Sequence, residues 1–188
     1  MGIAAIVLIA VVAVGIGILL WWIGAYNGLV RMRQDLKSAW SQIDVQLKRR
    51  HDLIPNLVES VKGYMAHERG TLENVIKARQ QAVSAGSVGE KAQAENFLTE
   101  TLRSLFAVVE RYPDIKANQN VMALQEELTS TENKVSFARQ FYNDQAARYN
   151  AAIESVPTNI VAGTGGFTKV DFFQLDAPAE RAVPQVKF

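Results

Sequence analysis

The apolar and polar positions of this 188-residue chain divide it sharply. From Gly2 to Gly24 there is an unbroken apolar run of 23 residues, GIAAIVLIAVVAVGIGILLWWIG. Every charged side chain lies beyond it. A bilayer core takes roughly 20 apolar residues in a helix, so the run predicts a transmembrane anchor over 1–25. Gly2, Ile3, Leu20, Trp21, Trp22, Ile23 and Gly24 mark its ends. Trp21 and Trp22 fall where amphipathic rings favour the headgroup zone.

Beyond the anchor the spacing is helical. Leu29, Met32, Leu36, Trp40, Ile43 and Leu47 recur at threes and fours. The first helix is therefore expected to continue out of the membrane as one rod to about Arg50. Asp52-Leu53-Ile54-Pro55 reads as a restart or a kink, with Asp52 a candidate cap. A second apolar set follows (Ile54, Leu57, Val58, Val61, Met65, Leu72, Val75, Ile76). Gly63 and Gly70 weaken this helix or admit a close neighbour. Ser84–Gly89 is a loop, and Ser87 with Glu90 forms a capping-box pattern. A third helix carries Phe97, Leu98, Leu102, Leu105, Phe106 and Val109, and Tyr112-Pro113 ends it. The fourth is the most regular: Val121, Leu124, Leu128, Thr131, Val135, Ala138, Tyr142, Gln145, Tyr149, Ala152 and Val156 form one coiled-coil-like seam. Its polar positions suit a bundle or an assembly contact.

After Pro157 the pattern loosens. Gly163-Thr164-Gly165-Gly166 reads as a hinge, and Phe167–Leu175 as a short strand or an extended strip docked on a bundle. The last 13 residues, DAPAERAVPQVKF, have the composition of a disordered tail. The pattern thus predicts an all-α chain with an anchor at 1–25, a helical domain at 26–160 and a flexible or extended tail at 161–188.

Charge adds orientation. Arg31, Arg33 and Lys37 follow the run, with only the terminal amine before it. The positive-inside rule then places the large domain in the cytoplasm and a very short N-terminus outside. The run is too long, and too poor in preceding basic residues, for a cleaved signal peptide. No cysteine follows it, which excludes a lipoprotein anchor. A formal net charge of +1 excludes a basic nucleic-acid-binding domain.

Candidate chemistry is thin. There is no cysteine, and there are two histidines. His67-Glu68 lacks the second histidine four residues on that a zinc protease helix needs, since position 71 is threonine. The glycines at 163–166 lack a following Gly-Lys-Ser/Thr. Lys48-Arg49-Arg50 is a solvated face, or a contact with anionic headgroups; a straight helix carries Arg50 about 39 Å past the run, which weakens the second reading. No catalytic residue, metal site or cofactor is assigned. The pairs Tyr26-Asn27, Tyr142-Asn143 and Tyr149-Asn150 stand out, because asparagine is a poor mid-helix residue. Tyrosines on the buried face, with the amides bonding a neighbouring helix or the tail, account for them; a ligand site near Tyr142, Tyr149 and Asn150 is the rival. Trp40, Leu128, Val135, Tyr142, Asn143, Tyr149 and Asn150 are the candidate bundle or assembly contacts.

Several of these segments together resemble the LemA family of bacterial membrane-anchored proteins. They are Tyr26-Asn27-Gly28-Leu29-Val30, Trp40, Arg50-His51-Asp52-Leu53-Ile54-Pro55-Asn56-Leu57-Val58, Gly63-Tyr64, His67-Glu68, Ala78-Arg79, Tyr112-Pro113, the two later Tyr-Asn pairs and Pro157-Thr158-Asn159. The resemblance implies one transmembrane helix in the bacterial inner membrane and a long antiparallel helical bundle. It implies no reaction. Some members are encoded beside a membrane metalloprotease, which makes such a protease a candidate partner. The expected function is a non-catalytic scaffold or interaction module that forms homo-oligomers at the bilayer and binds no nucleic acid. The alternative is a membrane-anchored sensor, receptor or adaptor tied to envelope quality control.

Overall fold

The computed structural model describes residues 2–65 and 68–173. Among them the chain is all-α, with no strand. The helices are α1 (Ile3–Lys62), α2 (Arg69–Ser84), α3 (Val88–Val109), α4 (Pro113–Lys116), α5 (Gln119–Glu154) and α6 (Thr158–Thr164). The chain forms two compact units. One holds Met1–Ser41 and Phe141–Val170; the other holds Gln42–Gln140 and the chain from Asp171.

The first unit contains the start of α1, the end of α5 and α6. The most apolar stretch of α1 is entirely unburied and long enough to cross a membrane. Beyond it, Leu29 joins Tyr149, Ile153, Val161, Ala162 and Phe167 in a core against which Trp22, Ala25 and Val170 pack. Trp40 meets Tyr142 edge-on at 5.4 Å. The α1 and α5 segments are antiparallel here: Trp40 meets Tyr142, and Leu29, earlier on α1, shares a core with Tyr149 and Ile153, later on α5.

The second unit packs the end of α1, α2, α3, α4 and the start of α5 around one core. Ile54, Leu57, Val61, Met65, Val75, Ala78, Leu98, Leu105 and Ile115 lie at its centre, all fully buried. The loop between α2 and α3 is stopped by the predicted capping box. The Ser87 hydroxyl accepts the Glu90 N–H, and the Glu90 carboxylate accepts the N–H groups of Ser87 and Gly86.

Three expectations are corrected. First, Pro55 does not restart a helix: α1 runs through it to Lys62. A proline inside a helix leaves the carbonyl four residues earlier without its N–H partner. That carbonyl belongs to His51, and the Arg79 Nε donates to it at 2.7 Å. The break comes instead at Gly63 and Tyr64, where the chain turns. Second, neither Gly63 nor Gly70 serves a close helix approach, since a Cβ on either meets nothing within 4 Å. Third, residues 163–166 are no hinge. Gly163 and Thr164 belong to α6, Gly165 caps it, and Gly166 takes the left-handed φ of 67°. A Cβ on Gly165 would lie 2.6 Å from the Phe167 ring, so glycine is required there.

The strip after Gly166 is extended rather than a strand, and it is docked. Leu175 and the tail 176–188 lie outside the described residues, as does His67.

Candidate functional site

The most concentrated chemistry in the described chain is a buried polar centre in the second unit. The face of α1 that carries Ile43 and Leu47 reaches the core again at Arg50, His51 and Ile54, one turn further on. On α3 the core positions Ala92, Leu98 and Leu102 frame Glu95. Helical geometry therefore drives three titratable groups inward on apolar registers. Arg50 is 2% exposed and Glu95 0%.

Each is paired. The Arg50 Nη1 donates to Glu95 Oε2 at 3.1 Å, and its Nη2 donates to Thr99 Oγ1 at 2.8 Å. The same Nη2 lies 3.1 Å from Glu132 Oε2 on α5. His51 Nε2 lies 2.6 Å from Glu95 Oε1. Removing one member of such a buried set leaves an uncompensated charge, which costs far more than an exposed pair contributes. The cluster locks α1, α3 and α5 in one register.

The Lys48-Arg49-Arg50 reading is corrected accordingly. Its three charges part company: Lys48 is exposed, Arg49 pairs with Glu127 at 2.6 Å on the surface, and Arg50 is interior. The signal was present, because Arg50 falls three residues after Leu47 on the apolar face. Three adjacent cations look alike until that register is laid over them.

A recess of about 190 Å³ adjoins the cluster, lined by Arg50, Leu102, Arg103, Phe106, Leu128 and Glu132 among others. Arg139 is buried nearby in the same unit, and its Nε and Nη2 have no hydrogen-bond partner among the described residues. Its guanidinium stacks on the Phe173 ring at 4.6 Å. Burial pulls its pKa below the ordinary arginine value, while the charge of Glu132 opposes this. An arginine remains cationic at physiological pH regardless.

The seam residues of α5 are where the spacing places them. Leu128, Thr131, Val135, Ala138, Tyr142 and Tyr149 are buried within the chain, while Val156 lies beyond the helix and is exposed. Thr131 tolerates burial because its hydroxyl donates to the Glu127 carbonyl at 2.8 Å. Burial raises the Tyr149 hydroxyl pKa, with Arg33 partly offsetting it. Asn150 uses its whole amide on one residue: Nδ2 donates to the Val170 carbonyl at 2.9 Å, and Oδ1 accepts the Val170 N–H at 3.0 Å. Of the two partners that the Tyr-Asn pattern left open, a neighbouring helix or the tail, Asn150 takes the tail. Phe167 adds a second clasp, meeting Tyr26 edge-on and lying under Arg33 at 5.0 Å. Trp40 and Asn143 are partly buried, and Asn143 is engaged. The anchor residues Ile3, Leu20, Trp21 and Ile23 are exposed, as are Gly2 and Gly24, while Trp22 is half-buried against the first unit's core.

Among the described residues no group of three or more His, Cys, Asp and Glu is arranged to hold a metal ion. These features define an all-α protein with a membrane-length apolar helix and helices pinned by an interior ion cluster. The family model described as LemA family matches residues 39–188, and the chain belongs to that family. It is 26% identical over 174 residues to the magnetosome protein MamQ of Magnetospirillum gryphiswaldense, covering 79% of this chain and 64% of the relative. It is 27% identical over 157 residues to protein LemA of Metamycoplasma hominis, covering 81% and 70%. The chain thus spans somewhat less than two thirds of the length of its magnetosome relative.

Proposed function

We propose that this protein is a non-catalytic, membrane-anchored interaction module that assembles with copies of itself. In this reading α1 crosses the bacterial inner membrane once. Arg31, Arg33 and Lys37 hold the remaining domain on the cytoplasmic side.

One observation carries the assembly reading. Arg50, His51 and Glu95 are paired with one another in the interior, yet Phe137 on α5 stands 72% exposed. Val45 on α1, in the same unit, is exposed as well. Single exposed apolar side chains are ordinary, but a phenylalanine this bare, in a chain with its reactive groups enclosed, is best used against another protein surface. The rival receptor reading requires unfilled polar groups around Tyr142, Tyr149 and Asn150. The packing of Trp40 on Tyr142 and the bond of Asn150 to Val170 weigh against it.

The chain has no cysteine, so a single Phe137→Cys variant reports on one place. In native membranes a short thiol cross-linker is expected to convert this variant to a covalent dimer. Phe137→Asp is expected to weaken assembly without unfolding, since the side chain is already in water. A Phe137→Cys variant that stays monomeric under cross-linking, with Phe137→Asp leaving particle size unchanged, contradicts the use of this face.

A further inference from the structure

We propose that the corner between α5 and α6, Val156 to Ile160, is a second membrane contact of this chain. It seats in the boundary between headgroups and acyl chains, beside the exit of α1. The inference rests on the reading of α1 as a membrane anchor and adds to it.

Its level follows from the antiparallel pairing in the first unit. Going forward along α5 runs back along α1, from Tyr142 beside Trp40 to Tyr149 and Ile153 in one core with Leu29. The chain after Glu154 therefore leaves α5 at the end of this unit nearer the apolar run. Packing agrees: Val161 and Ala162 of α6 share a core with Leu29, and Trp22 and Ala25 pack against that core. Trp22 lies in the last turn of the apolar run, where an indole marks the bilayer interface. The corner cannot stand far from that plane.

Its composition fits the place. Val156 is 80% exposed and Ile160 57%, and Pro157 between them is exposed too. From Ser155 to Thr168 the chain carries no charged side chain. The flanking Glu154 and Lys169 pair with each other, so the base of the corner has no net charge. Arg31, exposed on α1 two turns beyond Gly24, is placed to meet lipid phosphates. Apolar residues held by a rigid core at the interface gain from burial in the acyl boundary, as an interfacial helix does.

The test uses the full chain in lipid nanodiscs, with single cysteines carrying an environment-sensitive fluorophore. Ile160→Cys and Val156→Cys report the corner, Val11→Cys the anchor and Ser104→Cys a solvated face of α3. Spin labels on the lipid, near the headgroup or deep in the chain, quench from the membrane; iodide quenches from water. The corner labels are expected to lose about half their emission to the shallow spin label and little to iodide. Val11→Cys should respond to the deep label, and Ser104→Cys to iodide alone. Corner labels open to iodide and untouched by lipid, with Val11→Cys quenched by the deep label, overturn the corner and leave the anchor standing. Corner labels shielded from both quenchers place protein there instead and likewise overturn it. Val11→Cys in water overturns both.

Discussion

Pro55 and Arg79 show how one residue dictates the need for another. The proline leaves the His51 carbonyl without a helical donor, and Arg79 reaches it from α2. Arg79→Met leaves that acceptor unpaired and is expected to cost about 1–3 kcal/mol. Pro55→Ala restores an N–H at the same spot, so Arg79→Met should cost less in that background. A double-mutant cycle from denaturant unfolding measures the difference, and strict additivity would contradict the pairing. Glu95→Ala is the harsher change. It strips partners from buried Arg50 and His51 at once, with an expected loss of about 3–5 kcal/mol, readable by the same unfolding experiment. Both sites were half legible in the sequence. Arg50, His51 and Glu95 occupy apolar registers, which marks them as interior. Which carboxylate meets which cation depends on contacts dozens of residues apart, and no local pattern carries that. Pro55 misled because a mid-helix proline normally stops a helix, and the compensating arginine lies 24 residues downstream.

At the scale of elements, local rules worked where local chemistry decides. The Ser87–Glu90 cap is a four-residue device, visible in sequence and present in the fold. Ser87→Ala should cost about 1 kcal/mol of helix stability. The backbone N–H of Ser87, then that of Gly86, holds the Glu90 carboxyl below its ordinary pKa. A lowered folded-state pKa means its support is fully present above the unfolded glutamate range and is lost as pH falls through the folded value. Protection of the amides at the start of α3, taken relative to their intrinsic exchange rates, should therefore fall in acid, and Glu90→Gln should flatten that dependence. The seam of α5 was equally legible, because 36 residues of helix fix the period well. The latch of the tail strip was anticipated only as a type of contact. Asn150 bonds both backbone groups of Val170, so Asn150→Ala should speed exchange of the Val170 amide by at least about tenfold, since both bonds are lost. An unchanged rate would show that Phe167 alone holds the strip. Helix α6 was missed: no period shows in the seven residues after Pro157, the last two of which read as part of a hinge, and only burial of Val161 and Ala162 explains the helix.

On the scale of the whole molecule, the apolar run was the plainest feature of the sequence, and family membership follows from the match over residues 39–188. Self-assembly is a property of surfaces, which periodicity does not reveal. The long α5 seam suggested an assembly contact, yet its side chains are buried within one chain, so the proposed assembly rests on what remains outside. Phe137 is the residue on which that argument turns. The most direct measurement is the mass of the full-length protein, gently extracted from its membrane, by light scattering across a dilution series. The account predicts one uniform particle of several chains that persists on dilution and shrinks with Phe137→Asp. A monomer at every concentration would contradict it.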